Sequence, residues 1–147
     1  GSRVFFTADD ASGRELWVTD GTDAGTAMVK DINPGPGDAD ISSFVVVIGS
    51  TLYFGANDGT NGAELWRSDG TPGGTQMVID LNPGAGFGLA SSLEAVGTTL
   101  FFAGDNGASG TELWKTDGTA AGTTLVKDIN AGSGSSFPGF AFGDGMT

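Results

Sequence analysis

The stretch Glu64-Leu65-Trp66-Arg67-Ser68-Asp69-Gly70-Thr71 decides the fold, because the chain repeats its pattern three times. The other two copies start at Glu15 and Glu112, and the motif tryptophans, which are the only ones in the chain, lie 49 and 48 residues apart. The match extends upstream to apolar triplets at 4–6, 52–54 and 100–102. A period of this length is typical of β-propeller blades.

These anchors divide the chain into three repeats, at residues 3–51, 52–99 and 100–147. Gly1 and Ser2 precede the repeats and resemble the scar left by tag cleavage. We expect one continuous propeller half, in which the terminal blades are cut between their first and second strands. The expected first strand near the end of the chain spans 137–143, and the second strand near its start begins at Val4.

The turn signals predict four short strands in each blade. In the last complete blade they lie at 92–97, 100–103, 112–115 and 124–129. The sequences Gly-Thr, Asp-Asn-Gly and Asp-Gly-Thr separate these strands, and each is suited to a hairpin. Strands joined in this way form an antiparallel meander, and Gly or Pro interrupts every window long enough for a helix. The predicted fold class is therefore all-β.

The strands carry apolar residues at adjacent positions, as in Leu65-Trp66 and Phe101-Phe102. Neighbouring side chains on a strand point to opposite faces of the sheet, so both faces need burial. Four-stranded sheets stacked radially, as the blades of a propeller, meet this need. A linear β-solenoid or a loose array of sheets is the alternative.

Three blades curve too little to close a ring alone, since closed propellers have about four to eight blades. We expect the ring to close by self-association, as a six-bladed propeller built from a homodimer. In that dimer the C-terminal strand of each copy completes the blade that starts at the N-terminus of the other copy. A nine-bladed trimer is the alternative closure.

Composition disfavours several function classes. The net charge of −12 opposes binding to nucleic acid and to anionic lipid. The chain has neither Cys nor His, which removes disulfides, thiolate metal sites and the usual general base of hydrolytic triads. No apolar run reaches the ~20 residues of a membrane span. We therefore predict a protein that is not an enzyme, binds no nucleic acid and does not insert into membranes.

The motif tryptophans and leucines are assigned to a structural core between blades rather than to sugar-stacking platforms, because they recur together in every repeat. These residues are Trp17, Trp66, Trp114, Leu16, Leu65 and Leu113. The Asp-Gly pairs that follow are assigned to tight turns, in which an aspartate accepts hydrogen bonds from nearby backbone. These residues are Asp20, Gly21, Asp69, Gly70, Asp117 and Gly118.

Acidic hairpins offer the metal candidates, because carboxylate oxygens suit calcium. None of these hairpins has the ligand spacing of an EF-hand loop, so we favour solvated turns and keep calcium as the alternative. No catalytic residue, metal ligand or cofactor is assigned. The candidate acids are Asp9, Asp10, Asp58 and Asp105.

In two repeats the motif glutamate is expected to pair with a lysine on the neighbouring strand. The expected pairs are Glu15 with Lys30 and Glu112 with Lys127, whereas the middle repeat has Ile79 in place of the lysine.

The repeat resembles that of the bacterial ELWxxDGT-repeat proteins. Each unit reads as an apolar triplet, then Glu-Leu-Trp-x-x-Asp-Gly-Thr-x-x-Gly-Thr, then a segment such as the Val-Lys-Asp-Ile-Asn-Pro-Gly of residues 29–35. The resemblance covers essentially the whole chain, with small departures at Ile79 and Ala131. It implies a propeller-like fold in a secreted or surface-attached bacterial protein, and it supplies no catalytic residues.

The function predicted from these features is that of a non-catalytic, self-assembling module that serves as a binding or adhesion scaffold. Recognition of a glycan or peptide is expected in the loops that differ most between repeats, at 34–43, 84–92 and 132–138. One alternative is an isolated or engineered propeller fragment whose only activity is self-assembly. Another is a glycosidase that uses paired carboxylates.

Overall fold

The computed structural model describes residues 2–139, and in that range the chain forms strands and turns without a helix. The strands form three antiparallel sheets of three, four and four strands, so the predicted all-β class is confirmed. The first sheet contains β1 (Val4–Asp10), β2 (Gly13–Thr19) and β3 (Ala27–Lys30). The second contains β4 (Val45–Ile48), β5 (Thr51–Asn57), β6 (Ala63–Ser68) and β7 (Gln76–Ile79). The third contains β8 (Leu89–Val96), β9 (Thr99–Asp105), β10 (Thr111–Thr116) and β11 (Thr124–Lys127).

Each sheet is a meander in which strands that follow one another in sequence are also neighbours in space. The repeated motif lies on β2, β6 and β10, where each tryptophan is opposite the last phenylalanine of the apolar triplet on the preceding strand. The pairing with the following strand shifts register between the motif leucine and tryptophan in all three sheets. A bulge of this kind increases the local twist. The repeat therefore determines the twist of each blade as well as its strands.

The motif leucine and tryptophan lie on opposite faces of their sheet, which we call the leucine face and the tryptophan face. Leu16 on the leucine face of the first sheet belongs to the same buried cluster as Phe54 and Trp66 on the tryptophan face of the second. Leu65 and Trp114 meet in the same way between the second and third sheets. The sheets thus stack with one orientation, each turning its leucine face toward the next.

The two ends of the stack lack this cover within residues 2–139. Trp17, on the tryptophan face of the first sheet, and Leu113, on the leucine face of the third, are only half-buried. Their counterparts at internal positions are buried: Trp66, Trp114, Leu16 and Leu65. Four of the six predicted core residues therefore lie in cores within the chain, and the other two lie on the end faces.

Within residues 2–139 the first sheet has three strands where the others have four, and it lacks the counterpart of β4 and β8. The outer edge of β1 consequently has no strand beside it in the described part of the chain. The predicted first strand at 137–143 lies mainly outside the described residues, which end at 139. A propeller-like stack is thus present, while the closure of a ring belongs to the proposals below.

Because residues 2–139 form strands and turns throughout, they include no helix of the length and apolar character that crossing a membrane requires.

Replacing Phe54 by alanine should destabilise the stack, because its side chain is fully buried between the first two sheets. Loss of such a side chain costs about 3–5 kcal/mol of unfolding free energy, which chemical denaturation at fixed protein concentration would measure. The control is Phe87→Ala, since Phe87 is 63% exposed and its loss should change stability by less than about 0.5 kcal/mol. Equal losses in the two variants would contradict the assigned core.

Candidate functional site

The motif glutamate of every blade is fully buried and binds backbone N–H groups just beyond the last strand of its own sheet. In the first sheet, Ile32 N and Asn33 N donate to the Glu15 carboxylate at 2.9 and 3.2 Å. Leu81 and Asn82 donate to Glu64, and Ile129 and Asn130 to Glu112, in the same way. We call this repeated arrangement the glutamate latch.

In two blades the latch also holds the chain where it returns along the sheet. Gly88 N donates to Glu64 Oε1 at 2.9 Å, and Ser136 N donates to Glu112 Oε1 at 3.1 Å. The Ser136 hydroxyl adds a bond of 2.7 Å to Glu112 Oε2. At Gly88 the backbone comes so close that a Cβ would collide with the Glu64 carboxylate, so glycine fits this position.

The three loops predicted to carry recognition begin at these latches. Two are braced across their width: Asn33 Nδ2 donates to the carbonyl of Asp38 at 2.8 Å, and Asn130 Nδ2 to that of Ser135 at 3.1 Å. Each loop also donates a backbone N–H to the carbonyl before its motif glutamate: Ala39 to Arg14, Gly88 to Ala63, and Ser136 to Thr111. The loops are therefore anchored at fixed points on their own blades.

Burial and hydrogen bonding have opposite effects on the pKa of the latch carboxylates. Burial raises the pKa of Glu64 to about 7, against the effect of its three backbone donors, and it also raises the pKa of Glu15. Burial acts in the same direction at Glu112, but the Ser136 hydroxyl and three backbone N–H groups outweigh it and hold the pKa of Glu112 below its ordinary value. The same motif residue thus has different charge behaviour in different blades.

The predicted pairs of Glu15 with Lys30 and Glu112 with Lys127 are wrong. Lys30 is opposite Leu16 in the register, so its side chain leaves the sheet on the leucine face, away from Glu15. Its Nζ donates instead to the carbonyl of Thr75 in the second sheet, at 2.9 Å. Lys127 is likewise opposite Leu113. The ion pair found within residues 2–139 joins Arg14 to Asp9 at 2.7 Å.

The Asp-Gly-Thr segments form the tight turns to which they were assigned. Asp20 Oδ1 accepts bonds from the backbone N and the hydroxyl of Thr22, at 3.0 and 2.7 Å. The threonine hydroxyl in turn accepts a bond from Gly25 N. The glycine after each aspartate has a positive φ of 85–94°, which only glycine adopts readily. Hydrogen bonds from threonine lower the pKa of the aspartates in all three turns: Asp20, Asp69 and Asp117.

Each calcium candidate forms a hydrogen bond or an ion pair within its own hairpin. Asp10 accepts a bond from Ser12 N, and Asp105 from Gly107 N. Asp58 accepts bonds from Thr60 N and Asn61 N, while Asp9 pairs with Arg14. Within the described range, no three acidic side chains gather closely enough to hold a metal ion. Calcium therefore gains no support from these hairpins.

Among residues 2–139, buried polar atoms that find no hydrogen-bond partner in that range recur in every blade. They are the indole Nε1 atoms of Trp17, Trp66 and Trp114 and one Oδ1 each of Asp31, Asp80 and Asp128. Because the same atoms recur three times, they belong to the architecture of the repeat rather than to one special site.

Comparisons with protein-family models, with curated proteins and with solved structures find no match to this chain. The resemblance to ELWxxDGT-repeat proteins therefore stays a prediction from the motif.

We expect stability to depend on Glu64 between its ordinary pKa of 4.5 and its folded value of about 7. In that window the folded chain holds more protons than the unfolded chain, so the free energy of unfolding falls as pH rises. Melting temperatures recorded from pH 5 to 8 should therefore decline in the wild type and decline less in Glu64→Gln.

Glu112→Gln is the matched control for this measurement. The pKa of Glu112 is lowered, so its contribution to stability is lost only as pH falls below its ordinary value of 4.5. The decline from pH 5 to 8 should persist in this variant. An unchanged slope in Glu64→Gln would contradict the assignment.

Proposed function

We propose that this protein is a non-catalytic propeller module that assembles with a second copy through the two ends of its stack and presents a rim of loops for binding. The observation that carries the proposal is the complementarity of these ends. Each end displays the half of an inter-blade contact that the other end lacks, and both halves are seen joined inside the chain.

The tryptophan end, on the first sheet, is bare at positions that are covered elsewhere. Thr26 is exposed, whereas its counterparts Thr75 and Thr123 are buried. A Cβ at Gly21 would meet no described atom within 4 Å. The glycines at the same position of the other repeats are Gly70 and Gly118. A Cβ there would meet Phe5 and Tyr53, respectively, of the preceding sheet. The end thus has the shape of an inter-blade surface from which the preceding sheet is missing.

The leucine end, on the third sheet, shows the opposite half. Val126 is 44% exposed and Ile129 is 56% exposed. Their counterparts in the first sheet, Val29 and Ile32, are almost completely buried against the second sheet. Each Å² of apolar surface that is removed from water contributes roughly 25 cal/mol of favourable free energy. A second copy placed on this end would therefore be stabilised in the same way as an internal blade.

Two copies stacked in this way contain six sheets, a blade number within the usual range for a closed ring. A trimer of nine sheets is the other closure. The open edge of β1 supports the closed arrangement, because a groove of about 370 Å³ lies beside it, lined in part by Phe5, Ile41, Val45 and Leu52. In the proposed ring, the first strand that the sequence predicts at 137–143 of the second copy fills this groove.

The binding role is proposed for the anchored loops. Phe87 projects from one of them with an exposure of 63%, and an exposed aromatic side chain suits a glycan or peptide. The motif glutamates and the turn aspartates accept hydrogen bonds that fix latches and turns, which supports a non-catalytic role. A fragment that only self-assembles is the second candidate, supported by the complementary ends alone.

The mass in solution tests the assembly. We expect light scattering to give twice the single-chain mass of 14.7 kDa for the wild type. Val126→Asp should give the single-chain mass, because it places a charge on the leucine end while its partial exposure spares the lone chain. Wild-type protein at the single-chain mass at all concentrations would overturn the proposal.

Phe87→Asp is the matched control for this experiment. It adds the same charge at an exposed apolar residue, and the first repeat already carries Asp38 at the equivalent position. This variant should keep the doubled mass. A loss of mass in both variants would mean that charge rather than the end face controls assembly.

Binding is tested separately on arrays of glycans and peptides, with and without calcium. We expect binding that survives removal of calcium and that is reduced in Phe87→Ala. Retained assembly with no binding on either array would favour the fragment that only self-assembles.

A further inference from the structure

Lys30 makes a polar contact from the first sheet to the second. Its Nζ donates to the backbone carbonyl of Thr75 at 2.9 Å and lies 5.7 Å from the centre of the Trp66 ring. A lysine over an indole face is attracted by the ring, and the charge-assisted bond to a carbonyl strengthens the contact. One side chain thus recognises both a motif tryptophan and the start of the last strand in the next blade.

The same repeat position in the second sheet is Ile79, which packs against the cluster that contains Trp114. This position therefore lies at both internal junctions between sheets. A cation fills it in one junction and an aliphatic side chain fills it in the other.

The third residue at this position is Lys127, and within residues 2–139 it is exposed and makes no ion pair or hydrogen bond through its ammonium group. The first sheet carries the equivalent groups of the acceptor side. Trp17 and Thr26 stand where Trp66 and Thr75 stand in the junction formed by Lys30, and Trp17 is half-buried while Thr26 is exposed.

The geometry points to Lys127 as the residue that sets the register of self-association, by donating to the backbone carbonyl of Thr26 and covering the Trp17 ring of a second copy. The inference rests on the proposed function, since it requires the leucine end of one copy to meet the tryptophan end of another. It assigns the partner as a second copy of this chain in head-to-tail orientation. A copy placed tryptophan end to tryptophan end would leave both Lys127 side chains unused.

Charge makes this contact selective. Each chain has a net charge of −12 with only six cationic residues, so two copies repel one another at long range. A cation on one end and a ring face with a carbonyl on the other provide local attraction in one orientation. Lys115 and Lys127 of the third sheet are both exposed, and Lys127 is the one whose repeat counterpart, Lys30, bonds the next blade.

Sedimentation of the full-length chain over a dilution series tests the contact through the dissociation constant for self-association. Lys127→Glu should raise that constant by more than about a hundredfold, because it removes the donor and sets a carboxylate against a carbonyl and an electron-rich ring face. Lys127→Ile should stay within about tenfold of the wild type, since Ile79 fills this position in the second sheet.

Arg14→Glu is the control, because it makes the same charge reversal on the exposed hairpin between β1 and β2. It should leave the constant within about threefold of the wild type. Unfolding temperatures recorded at concentrations where the chain is dissociated should be similar in the wild type and the two Lys127 variants, as Lys127 is exposed there.

The outcomes separate the inference from the proposed function. If the wild type associates and Lys127→Glu associates equally well, the lysine contact is overturned while stacking through the end faces stands. If Lys127→Glu and Arg14→Glu weaken association equally, general charge repulsion replaces the contact. If the wild type does not associate at any concentration, the proposed assembly and the inference fail together.

Discussion

A buried carboxylate in every blade is the interaction on which the rest of the structure depends. Glu15, Glu64 and Glu112 give up hydration entirely, which is costly for a charged group unless hydrogen bonds replace the lost water. The replacement comes from backbone N–H groups in a segment that has left its sheet. Neither partner could remain buried without the other, because an orphaned backbone donor costs about 1–3 kcal/mol. The latch thereby fixes the point at which the chain leaves one blade for the next.

The latch also prepares the apolar contact between blades. Ile32 and Leu81 donate their backbone N–H to a latch and insert their side chains into the cores between sheets. Ile129 makes the same backbone bond at the leucine end, although its side chain is exposed there. The surface for stacking is therefore held in place before any neighbour covers it. A surface organised in advance loses less conformational entropy on association, which favours addition of a further blade.

The sequence was most informative about strands and turns. Strands expected at 92–97 and 100–103 are observed as Leu89–Val96 and Thr99–Asp105, because glycine and aspartate mark the hairpins with local chemistry. The propeller-like stack was also predictable, since adjacent apolar residues require burial on both faces. These features depend on contacts close in sequence or repeated at a fixed period.

The partners of the motif glutamates were not predictable in the same way. Pairing with lysine presumed that Glu15 and Lys30 share a face, whereas the register opposes Lys30 to Leu16. A bulge next to the motif tryptophan sets that register, and no residue type marks it. One signal was available: a glutamate directly before Leu-Trp in each repeat indicates an acid next to the core that needs donors. Where no side-chain donor recurs, the backbone must supply them.

Residues that recur in every blade have a different role from residues that differ between the blades. Residues that recur in every blade, such as the motif glutamate and the turn aspartate, are committed to bonds that every blade needs. A group engaged three times in the same structural bond offers no single place where chemistry could differ from blade to blade. Specificity therefore has to come from positions where the repeats disagree. Lys30, Ile79 and Lys127 disagree at a junction between blades, and Asp38, Phe87 and Ser135 disagree in the anchored loops. The junction positions govern which surfaces meet, and the loop positions govern which side chains the rim exposes. The glutamate latches fix both sets of positions to the sheets.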